Sequence, residues 1–192
     1  MRRLRPFLVP VLALAAAACS SDPAPAAAPG TTAASGDIPG VEIERVGPYT
    51  HQLGDLDYPR PAPSGGTHAP PPYWLNCGVY DGPVPDELAV HALEHGSIWI
   101  ALGPDVDDAT REQAASLAQG RKVFVSDVPD LPDDVELVAW EHRLVPDGID
   151  DPRVERFIDE FLDAGTAPEP GAPCSGSPFG GEPPTPPPVP TG

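Results

Sequence analysis

Thirty prolines in 192 residues limit what this chain can fold into more than any other feature. Each one fixes its own φ, removes a backbone donor and pushes the preceding residue out of the helical region. Pro59, Pro61, Pro63, Pro70, Pro71 and Pro72 therefore exclude a helix or a central strand from residues 50–72. A long irregular loop is expected there. It contains Ser64-Gly65-Gly66-Thr67-His68, a turn able to aim His68 inward. Residues 19–40 are Pro, Ala, Gly, Ser and Thr with almost no large apolar side chain, so burial cannot offset their ordering entropy. They read as a disordered tether, and residues 179–192 as a disordered Pro/Gly-rich tail. A single folded domain is expected over 41–165, extended to about 178 by Cys174.

The start of the chain reads as an export signal. Arg2, Arg3 and Arg5 precede an apolar run from Phe7 to Ala18, too short for an ordinary spanning helix. It ends in Ala16-Ala17-Ala18-Cys19-Ser20, which resembles a bacterial lipobox. The expectation is a signal peptide over 1–18 and a lipid on Cys19. The mature protein would then be anchored to a membrane on the extracytoplasmic side of the cell envelope. Ordinary cleavage to a free secreted protein is the alternative. A formal charge of −18 repels nucleic acid, so no nucleic-acid partner is expected.

The chain has three cysteines. With Cys19 taken by lipid, Cys77 and Cys174 remain, and in an oxidising compartment they most simply pair. Such a bridge closes a loop of about 100 residues and contributes about 4–5 kcal/mol in the chain-entropy model. The competing reading makes Cys77 a metal ligand.

Between the disordered ends the pattern predicts alternating strands and helices. Val41–Val46 alternates apolar and charged residues, a short half-exposed strand. Asp81-Gly82-Pro83 reads as a turn. Asp86 is a plausible cap for a helix to His95, ended by Gly96. Residues 97–102, 122–126 and 135–140 read as strands. A second helix, capped by Asp107 or Asp108, runs to Gln119. A third opens at Pro152 after Asp151 and runs through Leu162, with Val154, Phe157, Ile158 and Phe161 on one face. The fold class expected is α/β (α+β): a mixed sheet of about four strands with three helices, in a thioredoxin-like element order, with a long Pro-rich loop before the first helix. No C-x-x-C precedes the first helix, so redox chemistry of that fold has no support.

Val90-His91-Ala92-Leu93-Glu94-His95-Gly96 carries the chemistry. On a helix, His91 and His95 lie one turn apart on one face, the spacing a metal ion needs from two imidazoles. His68 would supply a third and Glu94 a carboxylate, as a ligand or in support. Histidine with carboxylate suits zinc or copper(II). Met1 is the only methionine and leaves with the signal, which excludes a methionine-type copper(I) site. Two other readings stay open. H-x-x-E-H is the signature of a class of zinc-dependent hydrolases, in which Glu94 would be the general base; no other catalytic residue is indicated. Alternatively Glu87, His91, Glu94 and His95 form a polar stripe facing water or hydrogen-bonded to the Pro-rich loop. The protein would then be a structural or interaction lipoprotein of the envelope, with no cofactor and an unidentified protein partner. His51 and His142 stand without partners at ligand spacing and read as surface or hydrogen-bonded histidines. Trp74, Trp99 and Trp140 read as packing residues.

Several blocks together resemble one family. They are Pro63-Ser64-Gly65-Gly66-Thr67-His68, Trp74-Leu75-Asn76-Cys77-Gly78-Val79-Tyr80, Pro85-Asp86-Glu87 with residues 90–96, and later Ala139-Trp140, Asp151-Pro152-Arg153 and Ala172-Pro173-Cys174. The chain over about 41–178 is similar to the bacterial domain of unknown function 3105. It departs from that pattern at Ala92, where serine is more usual, near Leu102, where tyrosine is, and at Glu141, where glycine is. The resemblance implies an exported or membrane-anchored domain and hands over no activity.

Overall fold

The computed structural model describes residues 38–178. The expected signal peptide, the expected lipid on Cys19, most of the expected tether and the expected tail from 179 lie outside the described residues. The elements in chain order are β1 (Val41–Ile43), β2 (Gly78–Pro83), α1 (Asp86–Glu94), β3 (Ile98–Leu102), α2 (Asp108–Ala118), β4 (Val123–Asp127), β5 (Val135–Ala139), β6 (His142–Leu144) and α3 (Pro152–Phe161). The class is the mixed α+β one expected, with three helices.

The sheet has six strands in the order β1-β6-β5-β3-β4-β2, where about four were expected. β2 pairs parallel with β4, and β4 parallel with β3; β3–β5, β5–β6 and β6–β1 are antiparallel. The sheet is thus mixed, two parallel joins followed by three antiparallel ones. The two extra strands carry weak signals. β2 holds Gly78, Gly82 and Pro83, so its Asp81–Pro83 end reads as a turn; it is an edge strand with an irregular register, where such residues are tolerated. β6 is three residues long and follows a tight hairpin in which Glu141 takes φ 58°. A glutamate does not announce such a turn, whereas the glycine more usual there would.

The central strands are buried on both faces, as their unbroken apolar runs require. Ile98, Ile100, Val123, Val125 and Leu137 pack under α2 and α3, against Ala114, Phe157, Ile158 and Phe161. Trp99, Ala101, Phe124 and Val138 point the other way, toward Leu88, Ala89, Ala92 and Leu93 of α1. Asp107 caps α2 by accepting from Thr110 N at 2.8 Å, and Asp151 caps α3 by accepting from Arg153 N at 2.8 Å. At α1 the cap differs from expectation: Pro85 holds the cap position without a side-chain bond, and Asp86 is the first helical residue.

The Pro-rich loop is irregular as expected, and it decides the environment of α1. It lies on the side of the helix away from the sheet, tied by Ala69 N to Glu87 O (3.3 Å) and, just beyond it, Leu75 N to Leu88 O (3.2 Å). The segment after α3 crosses the end of the helix, with Glu169 N bonded to Glu94 O at 3.0 Å. Every residue of α1 from Glu87 to Glu94 is consequently buried. The polar stripe does not face water.

Cys77 and Cys174 form a disulfide, with Cα atoms 5.4 Å apart. Cys77 N also donates to Cys174 O at 2.8 Å. Asn76 Oδ1 accepts from Ser177 N at 3.2 Å, so the stretch at 172–177 is held to the domain.

Candidate metal centre

Three elements meet at Glu94. The backbones at His51 and His68 form a short parallel bridge, with Gln52 N bonded to His68 O (2.8 Å) and His68 N to Thr50 O (3.2 Å). The two side chains therefore stand together, with ring centroids 4.8 Å apart. Gly66, at φ 111°, turns the chain so that His68 enters the interior and its Nδ1 donates to Gly66 O at 2.8 Å. α1 then brings Glu94 from below. His68 Nε2 lies 3.0 Å and His51 Nε2 3.4 Å from the same oxygen, Glu94 Oε2.

That convergence can be tested against a metal ion. A carbonyl can only accept, so His68 Nδ1 carries a ring proton, and Nε2 meets the carboxylate oxygen with either a second proton or a lone pair. His51 Nε2 approaches the same oxygen from the side. The three atoms need protons or a cation between them. Ligands bonded at 2.0–2.1 Å around a tetrahedral ion stand about 3.4 Å apart. The three donor atoms lie within 4.8 Å of one another, and His51, His68 and Glu94 could hold a metal ion. His68 and Glu94 are buried, at 0% and 3% exposure, while the His51 side chain is 40% exposed and forms the solvent side of the group.

The expected ligands His91 and His95 have different situations. His91 Nε2 stands 4.0 Å from Glu94 Oε2, beside the compact group. The residue is buried to 1% exposure, and its Nδ1 has no well-formed hydrogen bond among the described residues. His95 faces away from Glu94: its Nδ1 donates to Pro173 O at 2.9 Å, and Nε2 lies 3.8 Å from Glu169 Oε2. The rings of His91 and His95 pack edge to face at 4.7 Å, so the helical spacing yields a ring contact. Trp74 covers both rings, at 5.6 and 5.1 Å.

His51 had no signal at ligand spacing. It enters through loop pairing with His68, which residue spacing cannot show. His142 is the hydrogen-bonded histidine expected, donating from Nδ1 to Trp140 O at 2.7 Å.

The electrostatics favour an ionised carboxylate beside neutral His91 and His95 rings. Burial alone would raise the Glu94 carboxyl, but hydrogen bonds and charge from His68, with a further bond from His51, hold it down at about 2. Burial, with His95 and His68 close by, pushes His91 down to about 4. Burial also lowers His95. Tyr49 packs against His68 and Trp140, at 5.7 and 5.0 Å, and its hydroxyl is pushed up by burial and by the neighbouring Glu94 charge.

A family model described as a protein of unknown function (DUF3105) matches residues 51–176. The matched span begins at His51 and includes every histidine of the group and both bridged cysteines. No curated protein and no solved structure matches the chain.

Proposed function

The chain belongs to the DUF3105 family, and we propose that its domain binds one divalent transition-metal ion, zinc or copper(II), through His51, His68 and Glu94. The observation that carries this reading is the approach of two imidazole Nε2 atoms to the single oxygen Glu94 Oε2, at 3.0 and 3.4 Å, with the other nitrogen of His68 fixed on a carbonyl. The donor set is nitrogen and oxygen, which suits these ions; both cysteines among the described residues are in the bridge, and no methionine other than Met1 exists. His91 completes or backs the coordination from the helix, and His95 supports His91 from behind.

In this reading Glu94 is a ligand and not a free general base, which favours metal carriage over hydrolysis. The basic leader and the lipobox-like run ending at Cys19 support a lipid anchor at the extracytoplasmic face of a membrane, where the carrier handles metal arriving from outside.

Metal analysis of protein purified without an affinity tag tests the binding. One equivalent of zinc or copper per chain, lost in His68→Ala, is the expected result. A chain that takes up neither ion when dialysed against each would end the proposal. The anchor is tested apart from it, by detergent partition of the full chain against Cys19→Ala.

A further inference from the structure

We infer that the Cys77–Cys174 bridge is an exchange site for a small thiol, and that opening it unstraps the histidine group. The consequence for metal rests on the function proposed above; the exchange and the strap release do not.

Residues 164–177 form the strap. They cross the C-terminal end of α1, where Glu169 N bonds Glu94 O at 3.0 Å and His95 Nδ1 donates to Pro173 O at 2.9 Å. Ala167 is the buried apolar side chain of this stretch among the described residues. So little apolar burial leaves the strap to its hydrogen bonds, among them Cys77 N to Cys174 O at 2.8 Å, Ser177 N to Asn76 Oδ1 at 3.2 Å and Gly171 N to Asp163 Oδ1 at 2.9 Å, and to the covalent tie at Cys174 that keeps them in register. The strap fixes the His95 ring, which packs on His91 at 4.7 Å, and His91 packs on His68 at 5.2 Å. A released strap therefore loosens the support behind the group that meets Glu94.

The bridge is reachable. Both cysteines are only half-buried. A cavity of about 530 Å³, walled by the small residues Gly78, Ala115, Ala118 and Gly120, opens onto Cys77. Ser97 Oγ lies 3.7 Å from Cys77 Sγ, and since a bridged sulfur has no proton the hydroxyl is the donor. An incoming thiolate in the cavity bonds to Cys77 Sγ. The electron pair of the S–S bond leaves on Cys174 Sγ, which takes a proton from water. A second thiol then attacks the mixed disulfide and frees Cys77. In sum two thiols are oxidised to one disulfide and the protein bridge is reduced to two thiols. In an oxidising envelope the resting state is strapped, and a reducing thiol at that face is the signal.

The experiment treats the folded full chain with dithiothreitol and reads three things: alkylation of Cys77 and Cys174, amide hydrogen exchange, and, after the alkylated protein has been freed of dithiothreitol (itself a zinc ligand) and reloaded with zinc, transfer of the bound zinc to a chromophoric chelator. The expected result is alkylation of both cysteines with faster exchange in 164–177 while α1 and the sheet stay protected. Zinc release should be at least about 10-fold faster, the scale seen when a ligand's support is lost. Reduction in place avoids refolding, and the Cys77→Ser/Cys174→Ser variant, if it folds, should match the reduced state. A bridge that resists dithiothreitol until the whole domain unfolds overturns the inference. So does unchanged exchange in 164–177 after both cysteines are alkylated. Should the chain bind no zinc in either state, the metal reading fails while the exchange data still decide the strap.

Discussion

His68 and Glu94 meet head-on in the interior, Nε2 to Oε2 at 3.0 Å, one carried by a glycine turn of the Pro-rich loop and the other by the end of α1. The pair joins elements 26 residues apart in the chain and gives the site its centre. If it is the core of a metal centre, His68→Ala and Glu94→Gln each lower zinc affinity by at least about 100-fold, beyond what loss of outer support produces. His95→Gln, which removes a ring directed at Pro173 and Glu169, should cost no more than about 10-fold. Competition titration with a chromophoric chelator separates the two classes. Equal losses for His95→Gln and His68→Ala would mean a different ligand set.

The metal-free protein should lose stability in acid through His91. Its folded value, about 4, lies below the ordinary 6.5 because burial disfavours the charged ring. The unfolded chain then binds more protons between those values, so stability is fully present above pH 6.5 and falls as pH drops toward 4. That difference corresponds to on the order of 3 kcal/mol. Glu94 acts in a lower window: its stabilisation is present above the ordinary 4.5 and is lost as pH falls to about 2. Urea unfolding at about pH 7, 5.5 and 4.5 measures the first slope. His91→Gln should flatten it over that range, and an unchanged slope in that variant would assign the acid sensitivity to another group.

The elements most legible in sequence were those with strong local chemistry. Asp107 and Asp151 announce their helices, and Pro152 fits the first turn of α3 because its missing N–H costs nothing there. β2 and β6 were hidden because pairing, not propensity, makes them strands: β2 is held by β4 despite two glycines and a proline. The site was legible in part for a similar reason. H-x-x-E-H shows which side chains share a helix face, but not that a loop without secondary structure covers that face. His51 reaches Glu94 through its bridge to His68, a non-local pairing that leaves no periodic trace. His95 was the converse case. Its spacing from His91 suits a shared ion, yet the tail fixed at Cys174 offers Pro173 O as a nearer partner.

A buried charge network beside the loop should be costly to break. Arg143 and Glu136 are each 0% exposed and paired, and Arg143 also donates to Ala62 O at 2.5 Å and to Glu44. Burial already pushes the Glu136 carboxyl up. Among the described residues Arg143→Met leaves that group Arg60 Nη2, at 3.3 Å, as its cationic partner, and should destabilise by about 3–5 kcal/mol at neutral pH. Adding Glu136→Gln removes the stranded charge and should recover much of the loss. Chemical unfolding of the two variants gives the comparison. A double variant as unstable as the single one would show that packing, and not the uncompensated charge, sets the cost.

Gly96 ends the helix that carries Glu94, and its replacement should cost more than backbone strain alone. It holds φ +89°, where an L side chain is strained by about 1–2 kcal/mol. A Cβ there would also meet Asp163 Oδ1 at 2.9 Å and Asp163 Cα at 3.0 Å. The backbone cannot step aside freely, because Asp163 N is bonded to Gly96 O at 2.9 Å and Asp163 Oδ1 accepts from Gly171 N at 2.9 Å. Gly120 provides the comparison: it holds φ +69° with open space where a Cβ would stand, nothing lying within 4 Å, so Gly120→Ala registers the conformational strain only. Gly96→Ala should therefore be less stable than Gly120→Ala by about 1–2 kcal/mol, the scale of a steric clash in a packed region. It should also weaken metal binding, since Glu94 is two residues away and the clash falls on the segment that fixes the end of α1. Thermal unfolding and the chelator titration on both variants read the two effects. Equal melting temperatures would show that the contact with Asp163 relaxes at no cost.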